Sequence, residues 1–243
     1  SGFLPPKFFY TQGLGFTQPY YWNIKPQMDL LWTFMLHKKR GLGLGAKWRY
    51  LSPYGSGNVA GLLLPQDTFA LAFRDEQLLA PHAGKILNAL QNISTQRYFA
   101  HWEHGWRSQP WTVYAAVNKL SDDYVPADLS SADLSPVDLP QANLPKTIAN
   151  KDAWTIPSVF LLAWDKRSAH FEINVHHYQH LMPLWRNNFA AAFDRSPEIL
   201  GSWKQPLWQG EFSWNSGLTH FSGGQQSFSE NPVQPKGWRL WLE

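Results

Sequence analysis

The feature that most constrains this 243-residue chain is a strict two-residue alternation of side-chain character. In residues 28–37, "MDLLWTFMLH", every second residue is apolar, and residues 42–50 repeat the alternation after the short connection "KKRG". A period of two predicts β-strands. Each run also has about the 9–11 residues that a tilted membrane-spanning strand requires.

The alternation returns downstream, for example in "SAHFEINVH" at residues 168–176. The whole pattern predicts an all-β fold, an antiparallel transmembrane β-barrel segment of about twelve strands. No run approaches the roughly 20 apolar residues of a transmembrane helix. The predicted strands are residues 7–12, 15–23, 28–38, 42–51, 58–64, 96–104, 111–119, 157–165, 168–178, 198–204, 211–221 and 237–243.

Connection lengths between the predicted strands follow a parity rule. Connections after even-numbered strands are short, whereas those after strands five, seven, nine and eleven are long: residues 65–95, 120–156, 179–197 and 222–236. Outer-membrane barrels have short periplasmic turns and longer extracellular loops. We therefore expect one partial barrel domain over residues 1–243, with residues 120–156 as a long extracellular loop.

Two of these loops contain patterns of their own. Residues 126–145 place a leucine at every fifth position, but four such units are too few to bury a core as a solenoid, so a proline-rich loop insertion is predicted. Residues 83–93 have apolar residues at helical spacing and predict a short amphipathic helix.

Composition excludes several classes of protein. Aromatic residues make up 16% of the chain, with 14 Trp, and charged residues only 16%, below the roughly 25% of soluble domains. A net charge of +3 is too small to indicate nucleic-acid binding, and zero cysteines exclude disulfides, zinc-thiolate sites and thiol catalysis. The chain begins without Met and ends inside a strand-like run, so we interpret it as a piece of a longer protein and expect an open sheet.

The first 23 residues, "SGFLPPKFFYTQGLGFTQPYYWN", predict a β-hairpin around a Gly-Leu-Gly turn. Both arms contain proline: Pro5 and Pro6 in the first and Pro19 in the second. Proline cannot donate to a β-ladder and is normally confined to edge strands, strand starts and bulges. Proline in both arms is therefore unusual for a β-hairpin.

The chain contains the stretches "SGFLPP", "PYYWNIKPQMD", "KRG" and "WRYLS", followed by "VNKLSDDYVPADLSS" and "RSPEILGSWKQPLWQGEFSW". In this order they resemble the start of the barrel domain of the lipopolysaccharide-assembly protein LptD family, also called OstA or Imp. The resemblance covers the early part of the barrel, so we expect the family's jellyroll domain and closing strands to be absent from this chain.

The resemblance implies a translocon of the cell outer membrane that inserts lipopolysaccharide (LPS) into the outer leaflet. The route would be a lateral gate beside the first strands. The implied partners are LPS, an LptE-like lipoprotein plug and, through the missing jellyroll domain, an LptA-like periplasmic bridge. The resemblance implies neither enzymatic chemistry, nor a cofactor, nor a nucleic-acid partner.

The resemblance also implies roles for individual residues. Pro6 and Pro19 would weaken the ladder of the lateral gate. The polar faces of the third and fourth predicted strands would point into the barrel lumen. Candidates to line the lumen and face LPS are Asp29, His37, Lys47 and Arg49. The alternative is that these four residues only solvate a barrel interior, as in a porin.

Other functions stay open on the sequence alone. One is a general outer-membrane porin or receptor that passes small solutes, and another is a soluble β-sandwich that binds sugars through its Trp residues. His170, Glu172 and His176, near His177 and His180, suggest a metal site. However, strand neighbours two apart lie about 6.6 Å apart, so ligands from other strands would be needed and no metal is expected.

Overall fold

The computed structural model describes residues 1–10, 13–79, 93–122, 125, 155–180, 193–208, 210–222 and 236–243. Within these ranges the chain forms thirteen strands and one helix, α1 (Thr68–Leu78). The strands are β1 (Gly2–Phe3), β2 (Lys7–Tyr10), β3 (Leu14–Lys25), β4 (Met28–His37), β5 (Gly41–Ser52), β6 (Gly55–Leu64), β7 (Arg97–Ser108), β8 (Trp111–Leu120), β9 (Thr155–Lys166), β10 (Ala169–His180), β11 (Asp194–Leu207), β12 (Gly210–Ser222) and β13 (Gly237–Leu242).

All strands belong to one antiparallel sheet. From β3 to β13 each strand pairs with the next along the chain, and both β1 and β2 pair with β3. Among the described residues, no pairing joins β1 or β2 to β13, so the sheet is open. This confirms the predicted all-β, open barrel segment.

The strand prediction missed one element. The twelve predicted strands correspond to β2 through β13, whereas β1 lies before the proline pair. The reason is that Pro5 and Pro6 interrupt the first strand, so the alternation becomes recognisable only at Lys7. Several strands also extend beyond the predicted bounds, because ladder hydrogen bonds continue where the alternation of side chains fades.

The two ends of the sheet differ as the parity rule predicted. The tight-turn end carries the connections at residues 26–27, 53–54, 109–110, 167–168 and 208–209. The long-loop end carries the connections at residues 65–96, 121–154, 181–193 and 223–236, together with two short turns. Residues 80–92, which contain most of the predicted helix, and residues 126–145 lie outside the described residues.

The helix α1 was not predicted, although the sequence carries a signal for its start. Asp67 is the N-cap, and its side chain accepts a hydrogen bond from the Ala70 backbone N–H. Aspartate is among the preferred N-cap residues because it satisfies a free N–H of the first turn. Among the described helical residues, no helix is long and apolar enough to cross a membrane.

The two faces of the sheet have different chemistry. The apolar face exposes large side chains on nearly every strand, including Trp22, Phe34, Leu42, Val59, Trp102, Val117, Phe160, Phe171, Trp203 and Trp238. The polar face carries Asp29, Lys47, Arg49, Asn58, Glu103, Asn118, Glu172 and Glu198, as the registers show. Because side chains alternate along a strand, the two-residue pattern fixes this division.

The polar face is not uniform along the strands. Towards the long-loop end it becomes apolar and buried, with Met35, Leu62, Leu64, Phe99 and Leu120 in one cluster. Phe9 of β2 packs against this cluster. The solvent-exposed charged part of the face therefore lies towards the tight-turn end, where Asp29 pairs with Arg49.

Candidate functional site at the edge hairpin and the polar face

Pro5 and Pro6 divide the first strand of the sheet into two segments, β1 and β2. Phe3 of β1 lies opposite Tyr20, whereas Lys7 of β2 lies opposite Thr17. Three residues of the first strand therefore face only two residues of β3. This two-register arrangement is a β-bulge, which leaves residues unpaired and bends the strand.

Pro6 and Pro19 come together at this break. Pro6 lies between β1 and β2, and Pro19 lies within β3, paired on its other side with Thr33 of β4. The Leu4 backbone N–H donates to the Pro19 carbonyl oxygen at 3.0 Å. The structure thus brings the two predicted gate prolines to neighbouring positions on adjacent strands.

The broken strand is also an edge of the sheet. Within the described part of the chain, β1 and β2 pair with β3 alone, and β13 forms the opposite edge with six exposed residues. Edge strands present free N–H and C=O groups to any further strand. Both edges are therefore able to continue the sheet with other strands.

Asp29 and Arg49 form a directly opposed pair on the polar face. The Arg49 Nε donates to Asp29 Oδ1 at 2.8 Å, and Nη2 donates to Oδ2 at 2.7 Å. The Arg49 side chain is 57% exposed and that of Asp29 is 22% exposed. A bidentate pair of this kind fixes the plane of the guanidinium, which leaves its outer edge open to another anion.

Lys47 and His37 lie on the same face but are both only 4% exposed. His37 Nδ1 accepts hydrogen bonds from the backbone N–H groups of Lys39 and Arg40, both at 3.2 Å. His37 therefore stabilises the turn after β4. Of the four predicted lumen residues, Arg49 and Asp29 are the ones with the larger accessible surface.

A polar depression of about 430 Å³ adjoins Arg49 near the tight-turn end. Asn58, Glu103 and Tyr114 line it together with the backbone of Gly57 and Gly105. The Asn58 amide donates to the Glu103 carboxylate. The depression thus offers both a cation and hydrogen-bonding groups to a polar ligand, and sequence reasoning did not identify it because its residues come from four strands.

The apolar face next to the broken strand is concave as well. A depression of about 490 Å³ is lined by Phe3, Tyr20, Trp32, Phe34 and Leu44. It continues into a larger one of about 630 Å³, which shares Trp32 and Leu44 with it. The interruption of the first strand at Pro5 and Pro6 therefore lies beside an apolar groove on the apolar face of the sheet.

The histidines of β10 make separate pairs with carboxylates. His170 Nδ1 lies 2.6 Å from Asp165 Oδ1, and its Nε2 lies 3.3 Å from Glu172 Oε2. His177 Nδ1 lies 2.9 Å from Asp194 Oδ2. Across the residues that the structure describes, no group of three or more His, Asp or Glu side chains is placed to hold a metal ion.

A buried network of four charged side chains lies at the long-loop end, and no sequence pattern predicted it. The Arg40 and Arg97 guanidinium groups contact Asp67 Oδ2 at 3.0 and 3.1 Å. Arg97 Nε also contacts Asp122 Oδ2 at 3.1 Å. None of these side chains is more than 4% exposed. The two arginines and two aspartates balance in charge, and they join the start of α1 to β7 and to the end of β8.

Comparison with known proteins gives relatives that are named LPS-assembly protein LptD. No protein-family model matches the chain. The LPS-assembly protein LptD of Paraburkholderia xenovorans is 37% identical over 134 residues, covering 54% of this chain and 14% of the relative. LptD of Pasteurella multocida is 27% identical over 247 aligned positions, covering 100% of this chain and 26% of the relative.

A third relative, LptD of Legionella pneumophila strain Paris, is 29% identical over 242 residues. This match covers 96% of the chain and 27% of the relative. The chain therefore spans about a quarter or less of the length of these relatives, as expected for a partial barrel. Both the motifs and the open all-β sheet agree with these matches, and the chain is homologous to part of the LPS-assembly protein LptD, with one of these relatives aligned along the whole chain.

Proposed function

We propose that this chain is part of an outer-membrane translocon that inserts LPS into the outer leaflet. The relatives that it matches are named for LPS assembly. In this proposal the apolar face, with its exposed Trp and Phe side chains, contacts lipid, and the polar face lines a water-filled lumen. The tight-turn end is periplasmic and the long-loop end, including residues 120–156, is extracellular.

The observation that carries the proposal is the proline-interrupted strand at the edge of the sheet. A hydrogen bond contributes about 0.5–1.5 kcal/mol net in water, but lipid offers no replacement partner for a missing bond. The first strand has paired segments of only 2 and 4 residues, against 12 residues in β3. The two short segments are therefore able to separate from β3 one at a time, and Pro6 and Pro19 form one side of a lateral gate.

The proposed route of LPS passes the polar face next to this hairpin. Arg49 is exposed and held in plane by Asp29, which suits it to a phosphate group, because guanidinium binds phosphate bidentately. Lys47 and His37 contribute positive charge and turn stability from buried positions in the same wall. The adjoining polar depression offers amide, carboxylate and hydroxyl groups to sugar hydroxyls.

The remaining family partners belong to the same proposal. An LptE-like lipoprotein would fill the lumen against the polar face, and an LptA-like bridge would deliver LPS through a jellyroll domain outside this chain. Residues 1–243 would form one partial barrel domain, which strands outside this chain would close.

Photocrosslinking in the full-length parent protein tests the proposal in living cells. A photoreactive residue is placed at Phe8, which is 73% exposed on β2, and at Arg49. Lys204, 63% exposed on β11, is the control because it lies far along the sheet from the hairpin. We expect LPS adducts at the first two positions, their loss when upstream LPS delivery is blocked, and little adduct at the control.

The alternative function as a general porin predicts a different result. Absence of LPS adducts at Phe8 and Arg49, together with solute conductance through the purified parent barrel, would reject the translocon. The prolines would then be local features of an edge strand, and the polar face would serve a water-filled pore.

A further inference from the structure

Gln18 is an exception to the side-chain pattern of β3. Its neighbours on the apolar face of this strand are Phe16 and Tyr20, and Gln18 lies between them opposite Phe34. An amide on an apolar surface is costly unless its groups are hydrogen-bonded. The partners of the Gln18 amide therefore explain why a polar residue occupies this position.

Both partners of the amide are backbone carbonyls at the proline break. Gln18 Nε2 donates to the Leu4 carbonyl oxygen at 2.8 Å and to the Pro19 carbonyl oxygen at 3.1 Å. In an antiparallel ladder, two residues that bond each other exchange two hydrogen bonds. Leu4 donates one to Pro19, but Pro19 has no N–H with which to return the second. The Gln18 amide supplies the donor that Pro19 lacks.

We propose that Gln18 is a positioning residue for LPS insertion, because its amide holds the segment Gly2–Leu4 on β3 and its release lets that segment move at the gate. This inference rests on the proposed function. Few other bonds attach the segment: β1 has 2 paired residues, Pro5 and Pro6 donate none, and the Ser1 hydroxyl accepts from the Asn23 N–H at 3.0 Å.

Because the Gln18 amide lies on the apolar face, its hydrogen bonds hold the segment Gly2–Leu4 on β3 more strongly than a water-exposed hydrogen bond would. On a lipid-facing surface no water competes for the Leu4 carbonyl, and none replaces the amide when it leaves. The same bond is a side-chain bond, which a rotamer change breaks without moving β3. Gln18 thus joins the two strands across the prolines and still permits them to part.

Hydrogen exchange in the purified full-length parent tests the contact directly. Gln18→Met keeps the length of an unbranched side chain and suits the apolar face, but it donates no hydrogen bond. We expect the peptide over residues 2–9 to exchange about 3- to 10-fold faster, as the loss of one hydrogen bond predicts.

The chain offers a matched control at Gln179. Its side chain also bonds a backbone, accepting from the Leu120 N–H at 3.0 Å and donating to the Leu120 carbonyl oxygen at 3.1 Å. Gln179→Met removes these amide hydrogen bonds from β10, and hydrogen exchange over residues 2–9 should stay unchanged. Pro19→Ala restores the missing backbone donor, so in that background Gln18→Met should change exchange less than about twofold.

Transport is read in cells as the initial rate of LPS adduct formation at Phe8. We expect Gln18→Met to raise this rate about 3- to 10-fold and Gln179→Met to leave it unchanged. Unchanged exchange in Gln18→Met would overturn the contact itself, and faster exchange without a change in rate would overturn its role in transport. If the wild-type parent gives no adducts, the proposed function fails, and with it the role of Gln18 at a gate, whatever the exchange shows.

Discussion

Asp67 joins the loop between β6 and β7 to the rest of the sheet, and replacing it should release that loop. Its Oδ2 contacts the guanidinium groups of Arg40 and Arg97, and its Oδ1 accepts from the Ala70 N–H at 3.2 Å. The Asp67 side chain is 0% exposed. Asp67→Asn would leave two buried arginines with Asp122 as their remaining carboxylate in this network.

The size of the effect follows from this burial. Removing one partner from a buried ion pair costs about 3–5 kcal/mol, because the remaining charge stays buried and loses that carboxylate. At about 1.4 kcal/mol for each factor of ten, the local opening of α1 should become about 100-fold or more easier. Asp67→Ala also removes the N-cap and should add about 1 kcal/mol, whereas asparagine keeps it.

Hydrogen exchange of α1 in the full-length parent measures this opening. The control is Asp75→Asn on the same helix, because Asp75 is 63% exposed and its pair with Arg74 lies at the surface. Exposed pairs contribute about 0–1 kcal/mol, so exchange should change little. The reasoning is refuted if Asp67→Asn accelerates exchange of α1 no more than Asp75→Asn does.

Two further predictions concern the sheet and the polar face. In Gly57→Ala, the new Cβ would lie 2.3 Å from the backbone carbonyl oxygen of Glu103, so a strand must shift. The free energy of unfolding of the parent should fall by about 1–3 kcal/mol. Gly210→Ala is the control, since no heavy atom of the described residues lies within 4 Å of its Cβ, and equal losses in both variants would contradict the prediction. Arg49→Gln breaks an exposed pair with Asp29, so stability should change by less than about 1 kcal/mol. LPS adducts at Phe8 should nevertheless decrease if the guanidinium binds phosphate, and undiminished adducts would remove Arg49 from the route.

Much of the sheet could be predicted because the relevant signals are local. Alternation along residues 28–37 and 42–50 fixes which side chains share a face, since successive side chains of a strand point to opposite sides. The positions of twelve strands and the sorting of long loops to one end followed from this pattern and from connection lengths. The prolines at positions 6 and 19 were also visible as an exception to strand chemistry.

Register and burial depend on residues far apart in the chain, and only the tertiary structure decided them. Nothing near Gln18 shows that its amide lies opposite the Leu4 carbonyl, because that depends on the bulge at the prolines. The contacts of Asp67 with arginines at positions 40 and 97 likewise require two connections and the start of β7 to meet at one end of the sheet. The burial of Lys47, on a face predicted to be hydrated, has the same origin. The alternation of a single strand determines which way a side chain points, whereas cross-strand pairing determines what it meets there.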